Sequence, residues 1–232
     1  MIQQLLILQI VAYLVSSYFY QSEDQLKCNI ENGFKSKFIF KHALITFVVS
    51  WILSFNLNFV GCAFAIAIMH YLIDGFQKQF KLTKYTYTFV QLLKLVVIFL
   101  FVYLYIQYFD SSLSFLPTKA NYYLLICLGY LICLKPTNIL IRQVILISKI
   151  KITSNPTIEL ENAGKLIGIL ERILVLTFVI IGKLEVIGFL IAAKSLLRYK
   201  DTDTIKTEYV LIGTMLSFGI AMLLGLLINN FY

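Results

Sequence analysis

Charge is scarce in this 232-residue chain, and that scarcity excludes more than any motif does. Only 14% of the residues are charged and 59% are hydrophobic, whereas a soluble domain averages about a quarter charged. The mean hydropathy is +0.83. Such a composition points to a membrane protein with no sizeable soluble domain. Cysteine is equally uninformative as chemistry. Cys28, Cys62, Cys127 and Cys133 form no CxxC and no metal spacing, and three of the four lie in apolar runs, where they read as small buried hydrophobes. The sequence has no Walker loop, no GxSxG, no nucleic-acid motif and no internal repeat. The net charge of +8 could suggest nucleic acid. However, the lysines stand at the ends of apolar runs, where the positive-inside rule places them.

What the chain does have is apolar runs of spanning length. About eight transmembrane helices are expected, at 2–20, 38–55, 59–73, 88–109, 121–150, 163–182, 184–197 and 209–231. They would form one all-α, polytopic helix bundle, a single integral membrane domain. The first run, Ile2 to Tyr20, lacks a basic lead and a small-residue exit, so it is expected to be retained as a span. The run 121–150 is interrupted by Lys135-Pro136. Proline removes a donor and clashes with the preceding turn, so a kink or break is expected there. Its far end, with Arg142, Lys149 and Lys151, would leave the bilayer or lie along its surface. The run 184–197 is short, which leaves seven spans, or a re-entrant pair at the sixth and seventh, as alternatives.

Counting basic residues gives an orientation. One set of loops collects Lys27, Lys35, Lys37, Lys41, Lys78, Lys81, Lys84, Arg142, Lys149, Lys151, Arg198, Lys200 and Lys206, while the opposite set holds Lys119 and Lys183. The rich side is expected to be cytoplasmic, with both termini outside. Small residues recur at every fourth position, as Gly164/Gly168, Gly188/Ala192 and Gly213/Ser217/Ala221/Gly225. Such seams let helix backbones approach closely, within one bundle or between copies. The fifteen tyrosines and nineteen phenylalanines read in part as interfacial belts.

Two groups of residues carry candidate chemistry. The segment Glu159 to Arg198 places Glu171, Arg172, Glu185 and Lys194 in or between apolar runs. A charge at membrane depth costs about 2.5–3.5 kcal/mol and is normally paired. In antiparallel spans, Glu171 and Lys194 would differ in depth by about 6 Å, within reach of two long side chains. Arg172 points about 100° away and needs another partner. The network reads either as a device fixing helix register or as the lining of a substrate or ion path. The second group is His70 and Asp74, four apart on one helix face, with His42 on the other arm of the same hairpin. These suit a metal site or a proton relay, although one such pair is a weak signal and metals usually take three protein ligands. The bland alternative is a histidine bonded to a helix carbonyl and an aspartate ending its helix.

The segments Asn162-Ala163-Gly164-Lys165, Gly168-Ile169-Leu170-Glu171-Arg172 and Glu185 to Ser195 resemble the bacterial membrane proteins of the domain of unknown function family 3307. So do Lys35-Ser36-Lys37 with His42 to Ile45, and His70 to Gly75. The resemblance extends over nearly the whole chain. It implies a set of histidines and aspartates near one membrane face: an HxxxD pair in the first span, a histidine in the second, HxxxD in the third and DQxxH in the fourth. That set is similar to membrane-bound metal-dependent hydrolases. This chain departs from it, with Tyr13 and Ser17 at the first pair and Val90-Gln91-Leu92-Leu93-Lys94 at the last. Lys94 brings a cation that competes with a metal.

The reading therefore favours a non-enzymatic channel- or transport-type component of the bacterial cytoplasmic membrane, or one dependent on a partner, with a buried charged network. The alternative is a membrane-embedded metal-dependent hydrolase with a degenerate site at His42, His70 and Asp74. A divalent metal belongs only to that alternative. Expected partners are the lipid bilayer and a second copy or another protein, not nucleic acid.

Overall fold

The computed structural model describes residues 2–21, 32–77, 84–108, 120–147, 158–198 and 204–231. They form nine α-helices and no strand. Cys28, most of the basic segment at Lys78 to Lys84, the loop Asp110 to Lys119, Lys149, Lys151 and Lys200 lie outside the described residues. The chain falls into two compact units, 1–128 and 129–232.

The first unit contains α1 (Ile2–Leu14), α2 (Lys37–Ser54), α3 (Val60–Phe76) and α4 (Lys84–Tyr108). α1 continues into a π-helical segment, Val15–Tyr20, in which Ser16 and Ser17 face inward. α2 begins at the Ser36 cap, whose hydroxyl accepts from the Phe38 N–H at 3.3 Å. It ends at Phe55, in the left-handed conformation. The Asn56 side chain then accepts from the Asn58 N–H at 2.9 Å, closing the short turn into α3. That turn docks on α4: the Asn56 amide donates to the Tyr105 hydroxyl at 2.9 Å, and Phe59 packs edge-on against the same ring.

Spacing explains what this bundle buries. Along α1 and its π-helical continuation, Gln9, Tyr13 and Ser17 recur every fourth residue; on α2, so do His42, Thr46 and Ser50, and all six are buried. Residues four apart share a helix face, so two polar stripes meet. Gln9 donates to the Ser50 carbonyl at 3.0 Å and accepts from the Ser50 hydroxyl at 2.5 Å. The outside is apolar, with Phe40, Leu44, Phe64, Phe89, Val96 and Phe99 among the exposed residues. Polar groups inside and large apolar groups outside reverse the arrangement of a soluble domain.

The second unit contains α5 (Ala120–Cys133) from residue 129 onward, α6 (Lys135–Ile147), α7 (Ile158–Ile180), α8 (Leu184–Arg198) and α9 (Thr204–Asn230). α7 packs chiefly on α9. Val175, Leu176 and Val179 are buried there, as is Ala221. A methyl group on Gly225 would stand 2.6 Å from Val179 Cγ1, so this approach requires a glycine. α7 stops at Gly182, whose φ of +72° suits glycine. There the Lys183 N–H returns to the Phe178 carbonyl at 2.8 Å and the Gly182 N–H to Val179 at 3.0 Å. This turn sends α8 back along α7.

The helices α5 and α6 bend by 46° at their junction, and the sequence explains why. Pro136 has no N–H for the Ile132 carbonyl. The Thr137 hydroxyl donates to that carbonyl instead, at 2.6 Å.

Among the described residues, four segments are long and apolar enough to cross a membrane: Lys37–Ser54, Leu57–Phe76, Tyr87–Tyr108 and Leu211–Asn230. The bent α5–α6 pair makes up to five if it counts as one span. This corrects the expected eight. α1 is only 13 residues before it changes to π-helix, α7 carries Lys165, Glu171 and Arg172 within its apolar stretch, and α8 has 15 residues. At about 1.5 Å per residue, α8 falls short of a roughly 30 Å hydrocarbon core.

Candidate functional site: a buried lysine–aspartate–histidine cluster

The polar end of the first unit gathers side chains from four helices. Asp74 sits near the end of α3, His42 near the start of α2, and Lys94 on the inner face of α4. The Lys94 ammonium lies 2.6 Å from Asp74 Oδ1. His42 Nδ1 lies 3.1 Å from Asp74 Oδ2, although neither atom has a hydrogen bond of good geometry. Asp74 is thus bracketed, with Lys94 on one oxygen and His42 on the other. All three side chains are at most 4% exposed. His42 Nε2 faces the Ser17 hydroxyl at 3.4 Å, so the π-helical turn of α1 completes the cluster.

His70 lies one turn before Asp74 and is wholly buried. Its Nε2–H donates a long bond to the Lys94 backbone carbonyl at 3.4 Å. Its ring meets Tyr13 edge-on, with centroids 5.9 Å apart. The Tyr13 hydroxyl in turn donates to the Gln91 side-chain carbonyl. The structure therefore brings His42 and Asp74 into direct contact, while His70 belongs to an adjoining layer with Tyr13 and Gln91.

These residues do not fit a divalent metal. A metal on the other Asp74 oxygen would share the carboxylate with the Lys94 ammonium, and two cations there would repel. Among the described residues, no group of three or more His, Cys, Asp and Glu side chains is arranged to hold a metal. What the arrangement does chemically is balance charge in a buried interior. Ammonium and carboxylate neutralise one another, and breaking either leaves an uncompensated buried charge.

The second unit holds the other predicted charges in two separate places. Lys194 donates to Glu171 at 2.5 Å, both side chains about one-fifth to one-quarter exposed. The Lys194 ammonium also stands 5.7 Å above the Phe218 ring. Arg172 is buried and turned elsewhere. Its Nε donates to the Cys133 carbonyl at 2.7 Å, its Nη1 to the Ser217 hydroxyl at 2.9 Å and its Nη2 to Asn138 Oδ1. Glu185 is exposed on the first turn of α8, so it is corrected out of the buried network. The turn at Gly182 puts it at the hairpin tip.

Of the small-residue positions, Ser217, Ala221 and Gly225 are used inside the α7–α9 contact. Gly168 lies 3.4 Å, measured from an added methyl, from Arg172 Nη1. Gly164, Gly188 and Gly213 have nothing within 4 Å of such a methyl. Cys127 is exposed, not a buried hydrophobe, because it lies on the outer face of α5.

Sequence reasoning saw Lys94 only as a competitor for a metal, and missed Asn138 and the pairing of Gln9 with Ser50. Lys94 follows Gln91 by three positions within the apolar stretch from Phe89 to Ile106 of α4, and that was the available signal for its burial.

Apolar exteriors, and four or five described helices long and apolar enough to cross a bilayer, define the class: an all-α protein with the make-up of a membrane protein. Within it, the chain belongs to the family described as protein of unknown function, DUF3307, whose model matches residues 5–124. The match takes in the Lys94–Asp74–His42 cluster. It leaves out residues 162–195, so it does not span the whole length over which the likeness was expected. No curated protein and no solved structure matches the chain.

Proposed function

We propose that this protein is a non-enzymatic, transport-type component of the bacterial cytoplasmic membrane, acting alone or with a partner through its buried charged network. One observation carries the reading: the Lys94–Asp74 pair, two formal charges 2.6 Å apart inside a bundle with an apolar exterior. Ionisable groups held inside membrane bundles are costly and mark ion or substrate pathways by default. The basic residues Lys35, Lys37 and Lys41 stand where α2 begins, so the end of the bundle holding the cluster faces the cytoplasm in this reading. Five spans counted from α2 would put the termini on opposite faces, so the expectation of both outside requires α1 with its π-helical continuation to cross as well.

The hydrolase alternative loses ground to the same observation, because the Lys94 ammonium puts a cation on the carboxylate that a metal would use. A structural role, pinning α3 to α4, is the competitor that remains. Proteoliposomes separate the two. The protein should dissipate an imposed ion gradient, and the shape-conserving double variant Lys94→Met/Asp74→Leu should fold yet lose that flux. Flux unchanged in the folded double variant would reduce the pair to scaffolding. No flux under any gradient would remove the transport-type reading.

A further inference from the structure

Among the described residues, Arg172 is the buried charge with no carboxylate paired to it. No carboxylate of the described residues lies within 4 Å of its guanidinium, and neighbouring Glu171 is committed to Lys194. Its three bonds run to neutral acceptors: the Cys133 carbonyl, the Ser217 hydroxyl oxygen and the Asn138 amide oxygen. A guanidinium has five N–H donors, so two remain without an acceptor among the described residues. Accepting from Arg172 leaves the Ser217 hydroxyl and the Asn138 amide with hydrogens to donate. Every polar hydrogen left over in this cluster is therefore a donor, around a net positive charge.

The cluster also has a side that no other described helix closes. A methyl placed on Gly168 would meet Arg172 Nη1 at the ordinary contact distance of 3.4 Å and no atom of another described helix within 4 Å. Arg172 and Ser217 are closed off, while Gly168 and Asn138 are half-buried. The site lies beside the α5–α6 break, and broken membrane helices are where transporters place their ions and anionic groups.

We propose that the second unit binds a small monovalent anion of halide size, held by Arg172, the Ser217 hydroxyl and the Asn138 amide in the space beside Gly168. One negative charge neutralises the guanidinium, and the spare donors replace its hydration. The inference deepens the transport-type reading by naming a ligand class. Its test reads binding without flux, so the two can fail separately.

The experiment is thermal unfolding of the detergent-purified full chain in sodium chloride and in sodium gluconate at equal ionic strength. Gluconate is far larger than a halide. Chloride should raise Tm saturably, by about 3 °C or more at concentrations well above its Kd. Gly168→Ala places a methyl on that side at ordinary contact distance and favours helix, so it should fold and lose most of the chloride effect. Ser217→Ala should weaken that effect several-fold, and Arg172→Gln should abolish it. Equal Tm in the two salts for the wild type would overturn the proposal. So would a chloride shift that survives undiminished in Gly168→Ala, which stays informative even if Arg172→Gln fails to fold.

Discussion

Lys94 lies 2.6 Å from one oxygen of Asp74 while His42 faces the other at 3.1 Å, so a single carboxylate ties α4, α3 and α2 together. An ion pair of this depth makes a specific demand on mutagenesis. Removing one partner strands the other, at about 3–5 kcal/mol, whereas replacing both by apolar groups of similar volume is often near neutral. Lys94→Met and Asp74→Leu should each destabilise the protein strongly, and the double variant should recover most of the loss. A double variant as unstable as the sum of the singles, by unfolding in mixed micelles, would show that the pair is not coupled.

Tyr13 is the second anchor of the cluster, through its hydroxyl on Gln91 and its ring against His70. Tyr13→Phe keeps the ring and deletes the hydroxyl, leaving a buried amide oxygen short of a donor. The expected cost is about 1–3 kcal/mol, whereas Gln91→Leu in the same background should add little. Additive losses in that cycle would contradict the contact.

The glycine seams divide into used and open positions. Gly225→Ala drives a methyl toward Val179, where 2.6 Å is available, and should separate α7 from α9 with a loss of about 1–3 kcal/mol. Gly164→Ala and Gly213→Ala meet nothing and should be neutral or slightly stabilising. Comparable losses at all three positions would place the open glycines in an interface between copies, which crosslinking would then detect.

The Glu171–Lys194 pair is part-exposed, and its value is modest. Glu171→Lys should cost about 1 kcal/mol or less through like-charge contact, and adding Lys194→Glu should restore stability. A double variant no better than the single would break the pairing.

The all-α class was legible from composition and apolar periodicity alone, and the kink region from Pro136. The span count was not. Length and hydropathy alone cannot register that α1 turns π-helical after Leu14, or that Arg172 on α7 turns inward to Cys133, Ser217 and Asn138. The site was half legible. His70 and Asp74 stand four apart and His42 lies across a short hairpin, so their clustering follows from helix geometry. That Lys94 reaches Asp74 depends on how α4 packs on α3, and sequence spacing within one helix carries no record of that. Arg172 shows the same limit, since its partners Cys133, Asn138 and Ser217 come from three other helices.

The central claim, that a lysine rather than a metal completes the Asp74 site, has a direct test in metal analysis by mass spectrometry of the detergent-purified wild type, His70→Ala and Asp74→Ala proteins. The account predicts far less than one divalent metal per chain in all three. One metal per chain in the wild type, lost in both variants, would contradict it.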